Sequence, residues 1–291
     1  MHGDVLFKKA LERVKDRFFN FLIVTVLGWG LGLAIVVGFL VSVGIVLGVW
    51  AITKAPPVVG TVAMVMGILS ISLLAYLSSW TQLATTDSLI QSKKLPPFET
   101  FKRVRPYVKS YIWFVFLLMF FLIGLLPFTV LSLFIVGILW SLWSSFSIFV
   151  FLEKKKKGLE NLWISRDMVN QKFWPIAGLV FVVVVVVVLI SALFATVKNG
   201  LVNPIISQLI VTPFVTSFYY EMYKTLKVPQ NAKKPVVWIW LSVIGFVAVV
   251  VAVVLSFQVI STVIPELMKK SSPQNELYRE LLYPSSPDET I

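Results

Sequence analysis

Long apolar runs alternate with short basic segments along the whole chain. Runs 18–52, 58–85, 111–152, 175–197, 205–219 and 236–264 carry almost no charge. An α-helix rises about 1.5 Å per residue, so roughly 20 apolar residues cross a hydrocarbon core of about 30 Å. Most of the runs meet that length, and the pattern predicts an all-α, polytopic transmembrane bundle. Run 18–52 exceeds what one crossing needs, so tilt, projection beyond the bilayer or a bend near Gly28, Gly30 and Gly32 must absorb the excess. Run 111–152 is too long for one span and carries Pro127. It predicts a hairpin of spans 111–126 and 128–152 with its tip at Leu126-Pro127-Phe128. Outer turns are expected at Lys54, Pro56 and Pro57, and again at Lys198, Asn199 and Gly200.

Charge sets the direction of each crossing. Most of the 26 lysines and arginines fall into four groups. These run from Lys8 to Arg17, from Lys93 to Lys109, from Lys154 to Lys172 and from Lys224 to Lys234. Loops rich in Lys and Arg stay on the cytoplasmic side, so an even number of crossings must separate each neighbouring pair. That rule gives a six-helix core, 18–52, 58–85, 111–126, 128–152, 175–197 and 205–223 within a membrane domain 18–227. A seventh C-terminal span follows at 236–264. The amino terminus is expected inside and the polar tail 265–291, whose carboxylates outnumber its cations, outside. The first apolar run is much longer than the 7 to 15 residues of a cleavable signal, so an uncleaved first span is expected. The predicted location is the cytoplasmic (inner) membrane, multi-pass.

Composition agrees and narrows the chemistry. Hydrophobic residues make up 58% of the chain, charged residues 14%, and the mean hydropathy is +0.88, far from the usage of a soluble globule. There is no cysteine and one histidine, His2, which removes disulfides, thiolates and the commonest metal ligand. No cofactor and no metal is expected. Hydrolysis would want paired carboxylates, an activated nucleophile or a metal. Most acidic residues instead fall in the inner segments or the tail, and Ser78, Ser79, Ser144, Ser145 and Ser147 lack a base nearby in sequence. The chain is not expected to be an enzyme.

Three inner segments repeat apolar residues at helical spacing: Leu6, Ala10 and Val14 in segment 1–17, continued by Phe18 at the start of the first span; Phe98, Phe101, Val104 and Val108 in 98–109; and Leu159, Leu162, Trp163, Val169 and Phe173 in 159–173. They predict amphipathic helices, the last two interfacial, with cations reaching anionic headgroups. Lys102, Arg103, Arg105, Lys109, Lys154, Lys155, Arg166 and Lys172 are the candidate lipid contacts. The alternative is a solvated basic loop that only sets orientation. Positive charge spread over several loops forms no groove, so no nucleic-acid partner is expected. Anionic membrane lipids are the expected partners, beside a protein partner or a second copy.

An internal echo relates Val14-Lys15-Asp16-Arg17-Phe18-Phe19-Asn20-Phe21 to Val169-Asn170-Gln171-Lys172-Phe173-Trp174-Pro175-Ile176, each leading into an out-and-back pair. Phe151-Leu152-Glu153, the lysine cluster, Gly158-Leu159-Glu160-Asn161-Leu162-Trp163-Ile164-Ser165-Arg166 and the stretch 169–174 also resemble the hallmark of a bacterial integral membrane family. That family includes the membrane domain found beside some glycerophosphoryl diester phosphodiesterases and YciC-like uncharacterised inner-membrane proteins. Leu126-Pro127-Phe128 and Tyr219-Tyr220-Glu221-Met222-Tyr223 are similar to its pattern as well. The resemblance covers about residues 5–227. It implies six helices without an assigned biochemical activity, and 236–291 stands as an extension.

Ionisable residues are scarce inside the spans, which argues against a proton- or sodium-coupled pump. Glu221, at a span edge among aromatics, is the leading functional candidate, with Lys224, Arg166 or a basic segment as its expected partner. Asn20, Thr81, Gln82, Asn203 and Gln208 are the polar candidates for a site between helices, and ordinary caps, turns or interhelical hydrogen bonds are the alternative. Gly28 with Gly32, and Gly44 with Gly48, place pairs of glycines four apart on the first span, where another helix can approach. The expected function is a membrane-embedded scaffold or accessory factor with anionic inner-leaflet lipid contacts. The alternative is a small-molecule or lipid transporter. A polar cavity lined by Asn203, Gln208 or Gln82 would favour transport, and a dry, well-packed bundle the scaffold.

Overall fold

The computed structural model describes residues 3–53, 56–91, 94–155, 158–195, 205, 207–229 and 232–270. Every element among them is helical. In chain order they are α1 (Gly3–Thr53), α2 (Pro56–Ile90), α3 (Pro97–Val104), a 3₁₀ turn (Arg105–Tyr107), α4 (Val108–Leu131), α5 (Ile135–Ser144), α6 (Ser147–Lys154), α7 (Glu160–Gln171), α8 (Phe173–Ala195), a π turn (Ser207–Val211), α9 (Thr212–Lys224) and α10 (Val236–Lys270). Six stretches are long and apolar enough to cross a membrane: Gly3–Gly48, Gly60–Ile90, Pro97–Leu131, Ile135–Lys154, Phe173–Ala192 and Val236–Val263. The expected span 205–223 is described only from the π turn onward, apart from residue 205. The outer turn at 198–200 and the tail beyond 270 lie outside the described residues.

The chain divides into two compact units, 1–119 with 137–235, and 120–136 with 236–291. In the first unit α1 is continuous through 51 residues, with Gly28, Gly30 and Gly32 inside it. Its length, about 76 Å at 1.5 Å per residue, carries the basic first turns well past any hydrocarbon core. The apolar stripe of those turns meets protein. Leu6 and Ala10 are buried in a core with Phe146, Phe149, Met168, Phe218 and Met222. Phe7 stacks at a tilt on Phe218 with ring centroids 4.8 Å apart.

The other two basic segments also turn their apolar faces inward. Phe101 and Val104 of α3 are buried, and the Trp80 indole of α2 donates to the Phe101 carbonyl at 2.9 Å. Phe98 is exposed. Leu162, Trp163, Ile164, Met168 and Val169 make α7 a core element. Ser165 of α7 has a particular task where α5 gives way to α6. Its hydroxyl donates to the Trp143 carbonyl at 2.5 Å and accepts the Phe146 N–H at 3.1 Å, satisfying backbone groups that the break leaves open.

The second unit corrects the position of the hairpin tip. The chain does not reverse at 126–128: α4 runs through Pro127 to Leu131, and the turn falls at 132–134. Proline removes one helix hydrogen bond, a loss that neighbouring side chains can absorb in an apolar setting. The acceptor that loses its N–H here is the Ile123 carbonyl, four residues before Pro127; Thr129 Oγ1 separately bonds back to the Leu125 carbonyl at 3.0 Å. The reversal itself places Leu133 and Phe134 at φ 50° and 69°. Ser132 then starts the next helix by accepting the Val136 N–H on its hydroxyl at 3.2 Å.

Within the same unit α10 crosses α4 closely. A methyl group on Gly124 would collide with the backbone of Ser242, and one on Gly245 with the Gly124 carbonyl. Ser242 Oγ donates to the Phe121 carbonyl at 3.0 Å, and Phe120 and Phe246 pack with centroids 5.1 Å apart. Small residues permit this approach, and the buried hydroxyl fixes its register.

Candidate functional site

Two cavities lie end to end along α1 in the first unit. The larger is a cleft of about 870 Å³ between α1, α2, α9 and the α5–α6 break. From α1 it takes Phe21, Thr25, Gly28, Trp29, Gly32, Leu33 and Val36, from α2 Leu74, Leu77, Ser78, Thr81, Gln82, Thr85, Thr86 and Leu89. Ser145, Ile148, Phe149, Gln208, Thr212, Val215, Thr216 and Tyr219 complete it. Phe21 to Val36 spans about 22 Å along the helix, a large part of a hydrocarbon core.

The lining is apolar with polar points. Several hydroxyls bond back to their own helix, Thr85 Oγ1 to the Thr81 carbonyl at 2.8 Å and Ser145 Oγ to the Ser141 carbonyl at 2.9 Å. Such bonds occupy the hydroxyl donors within their own helices. Thr25 Oγ1 differs: it is buried and has no hydrogen-bond partner. Gln82 and Gln208, both exposed, bring amide groups to the same lining. Of the polar candidates read from the sequence, Thr81, Gln82 and Gln208 are therefore brought together, Asn20 is not on this lining, and Asn203 lies outside the described residues.

The second cavity, about 420 Å³, is bounded by Lys9, Glu12, Arg13, Asp16, Arg17, Gln91, Glu221 and Lys224. Glu221 lines it and is 5% exposed. Arg13 Nε and Nη2 both reach its Oε1, at 2.7 and 2.6 Å, and Lys224 Nζ reaches Oε2 at 2.8 Å. Arg13 also donates through Nη1 to the Leu89 carbonyl at 3.2 Å and lies over the Tyr220 ring, 4.8 Å from its centroid. Leu89 lines the cleft and Arg13 the charged cavity, so this hydrogen bond marks their junction. A carboxylate this buried needs such partners, because charge removed from water without them is very unfavourable.

Glu221 was legible as a lone acid at a span edge, and Lys224 as its neighbour in sequence. Arg13 was not, because 208 residues separate the pair. Arg166, the other expected partner, is engaged elsewhere: it bonds Asp167 at 2.7 Å and the Lys233 carbonyl at 2.8 Å. Its side chain is 12% exposed, which corrects its reading as a cation free to meet lipid. A second buried acid, Asp87, accepts a hydrogen bond from Gln91 and faces Arg103 at 3.8 Å. Its position at the end of a span gave no signal beyond an acid in a basic loop.

The remaining candidate lipid contacts are surface groups. Lys102, Arg103, Arg105, Lys109, Lys154, Lys155 and Lys172 are exposed, and Lys155 Nζ sits 4.6 Å from the Tyr107 ring centroid. Of the four packing glycines, Gly28 alone lies against a neighbouring helix, where Thr81 of α2 occupies the space a methyl would need. A methyl on Gly32, Gly44 or Gly48 would meet nothing within 4 Å, so no described helix of this chain packs on them. The close approaches at Gly124 and Gly245 were missed, since single glycines in apolar helices form no repeated pattern. Among the described residues no group of three or more His, Asp or Glu could hold a metal. No family model, curated protein or solved structure matches the chain.

Proposed function

We propose that this protein is a multi-pass membrane protein that binds a lipid or comparable amphiphile in the cleft between α1, α2 and α9. The cleft itself carries the reading. Its volume of about 870 Å³ falls within the 300–1,000 Å³ common for small-molecule sites, and its apolar walls carry a few polar points. A chain lying along α1 would replace water on those walls, and the unpaired Thr25 hydroxyl, with the amides of Gln82 and Gln208, offers hydrogen bonds to an ester or hydroxyl. These features favour the transporter reading over a scaffold, for which a dry, closed bundle would be expected. On its charge pattern we assign the protein to the cytoplasmic membrane with its amino terminus inside. The family resemblance of residues 5–227 belongs to the same proposal and adds no activity of its own.

Filling the cleft tests the reading. Ser78→Trp and Thr216→Trp each put an indole into the lining, and native mass spectrometry of the purified chain counts the lipids it retains. Retention should fall sharply in both variants, with folding checked by size-exclusion chromatography. Unchanged retention in well-folded variants would reject the cleft as the binding site.

A further inference from the structure

We infer that the charged cavity beside the cleft is a headgroup pocket for a phospholipid whose only charge is its phosphodiester. This rests on the lipid-binding reading of the cleft and names the ligand class. The two cavities share α1: Arg17 borders one and Phe21 the other, one turn apart, about 6 Å along the axis. Tyr219 and Glu221 repeat the arrangement on α9. A molecule with its tail in the cleft therefore ends among these charges.

Charge then selects the head. Four cations, Lys9, Arg13, Arg17 and Lys224, face three carboxylates, Glu12, Asp16 and Glu221. The cavity wall thus carries one net positive charge, which one phosphodiester neutralises. Two of the three carboxylates are committed, Glu221 to Arg13 and Lys224, and Asp16 to Lys94 at 2.5 Å and Arg17 at 3.1 Å, while Glu12 is exposed to solvent. An ammonium-bearing head would have to compete for the committed two. N–H capacity remains on the cation side, because an ammonium has three donors and a guanidinium five. Lys224 gives one contact to Glu221, and Lys9 is exposed at the rim. Phosphate oxygens suit such donors, and charge-assisted hydrogen bonds are the stronger kind.

The full-length chain, reconstituted in nanodiscs of equal phosphatidylglycerol, phosphatidylethanolamine and phosphatidylcholine, is extracted gently and its retained lipid identified by native mass spectrometry. Phosphatidylglycerol should be enriched about tenfold, because all three lipids bring the phosphodiester and only the other two bring an ammonium into a cavity of net positive charge. The double variant Lys9→Gln/Lys224→Gln leaves the Arg13–Glu221 pair in place. It should retain lipid but lose the enrichment. Equal retention of the three lipids by the unaltered chain, or enrichment unchanged in the double variant, would overturn the headgroup assignment while leaving the cleft reading intact. Loss of lipid upon adding excess glycerophosphate would overturn it too, reassigning the cavity to a soluble anion. Retention unaffected by Thr216→Trp would instead sink the cleft reading.

Discussion

Removing Arg13 should expose how strongly α1 and α9 are tied. In Arg13→Ala, Glu221 loses both N–H contacts on Oε1 and keeps only Lys224 on Oε2. Hydrogen bonds to charged groups contribute about 1.5–3 kcal/mol each, and stranding one member of a fully buried pair costs about 3–5 kcal/mol. Two features reduce that here. Lys224 still neutralises the carboxylate, and the Arg13 side chain, 19% exposed, borders a cavity that admits water. The expected loss is therefore about 2–3 kcal/mol, part of it from the Leu89 carbonyl and the Tyr220 ring. A double-mutant cycle with Glu221→Ala isolates the pair, measured by reversible unfolding in mixed detergent micelles. A coupling of about 1–2 kcal/mol is predicted. Additivity within about 0.5 kcal/mol would refute the reasoning, for it would mean that the two groups do not hold the helices together.

Three substitutions test the packing. Gly124→Ala should destabilise the α4–α10 pair by about 1–3 kcal/mol, because the methyl meets Ser242 backbone, whereas Gly44→Ala should stabilise or be neutral; equal melting shifts would contradict the crossing. Gly28→Ala should lower the melting temperature, and adding Thr81→Ala should recover much of the loss by clearing the side chain in its way; no recovery would refute the contact. Ser165→Ala should cost about 1–3 kcal/mol, since it leaves the Trp143 carbonyl and the Phe146 N–H without their partner, and thermal unfolding reads it directly; a change under about 0.5 kcal/mol would refute that role.

Length and hydropathy made the long apolar helices readable, because covering 20 residues with apolar side chains leaves few other structures. The hairpin tip was placed on Pro127 because proline is the strongest breaker in sequence terms, yet a single proline removes one hydrogen bond from α4 and no more. The better signal stood five residues on, where Ser132 precedes a helix it can cap. Periodicity in the basic segments revealed an apolar face but not what covers it. Leu6, Ala10, Phe101 and Val169 pack on other helices, a tertiary outcome invisible in a local pattern. The cleft was half legible. Thr81, Gln82 and Gln208 stood out as polar residues in apolar runs, while Thr85 and Thr86 of α2 and Thr212 and Thr216 of α9 were not singled out by the pattern. Arg13, half-buried against an acid far along the chain, carried no local mark among the five cations of its segment.

Photolabelling tests the central claim most directly. A phospholipid with a diazirine in its acyl chain is incorporated around the intact protein, illuminated, and the labelled residues are mapped by mass spectrometry. Labels should appear on cleft residues such as Thr25, Thr81 and Gln82 and fall away in Thr216→Trp, while those on exposed apolar positions of α10 such as Val247 and Leu255 stay unchanged. Cleft labels absent from the unaltered chain, or undiminished in a well-folded Thr216→Trp, would contradict the lipid-binding reading.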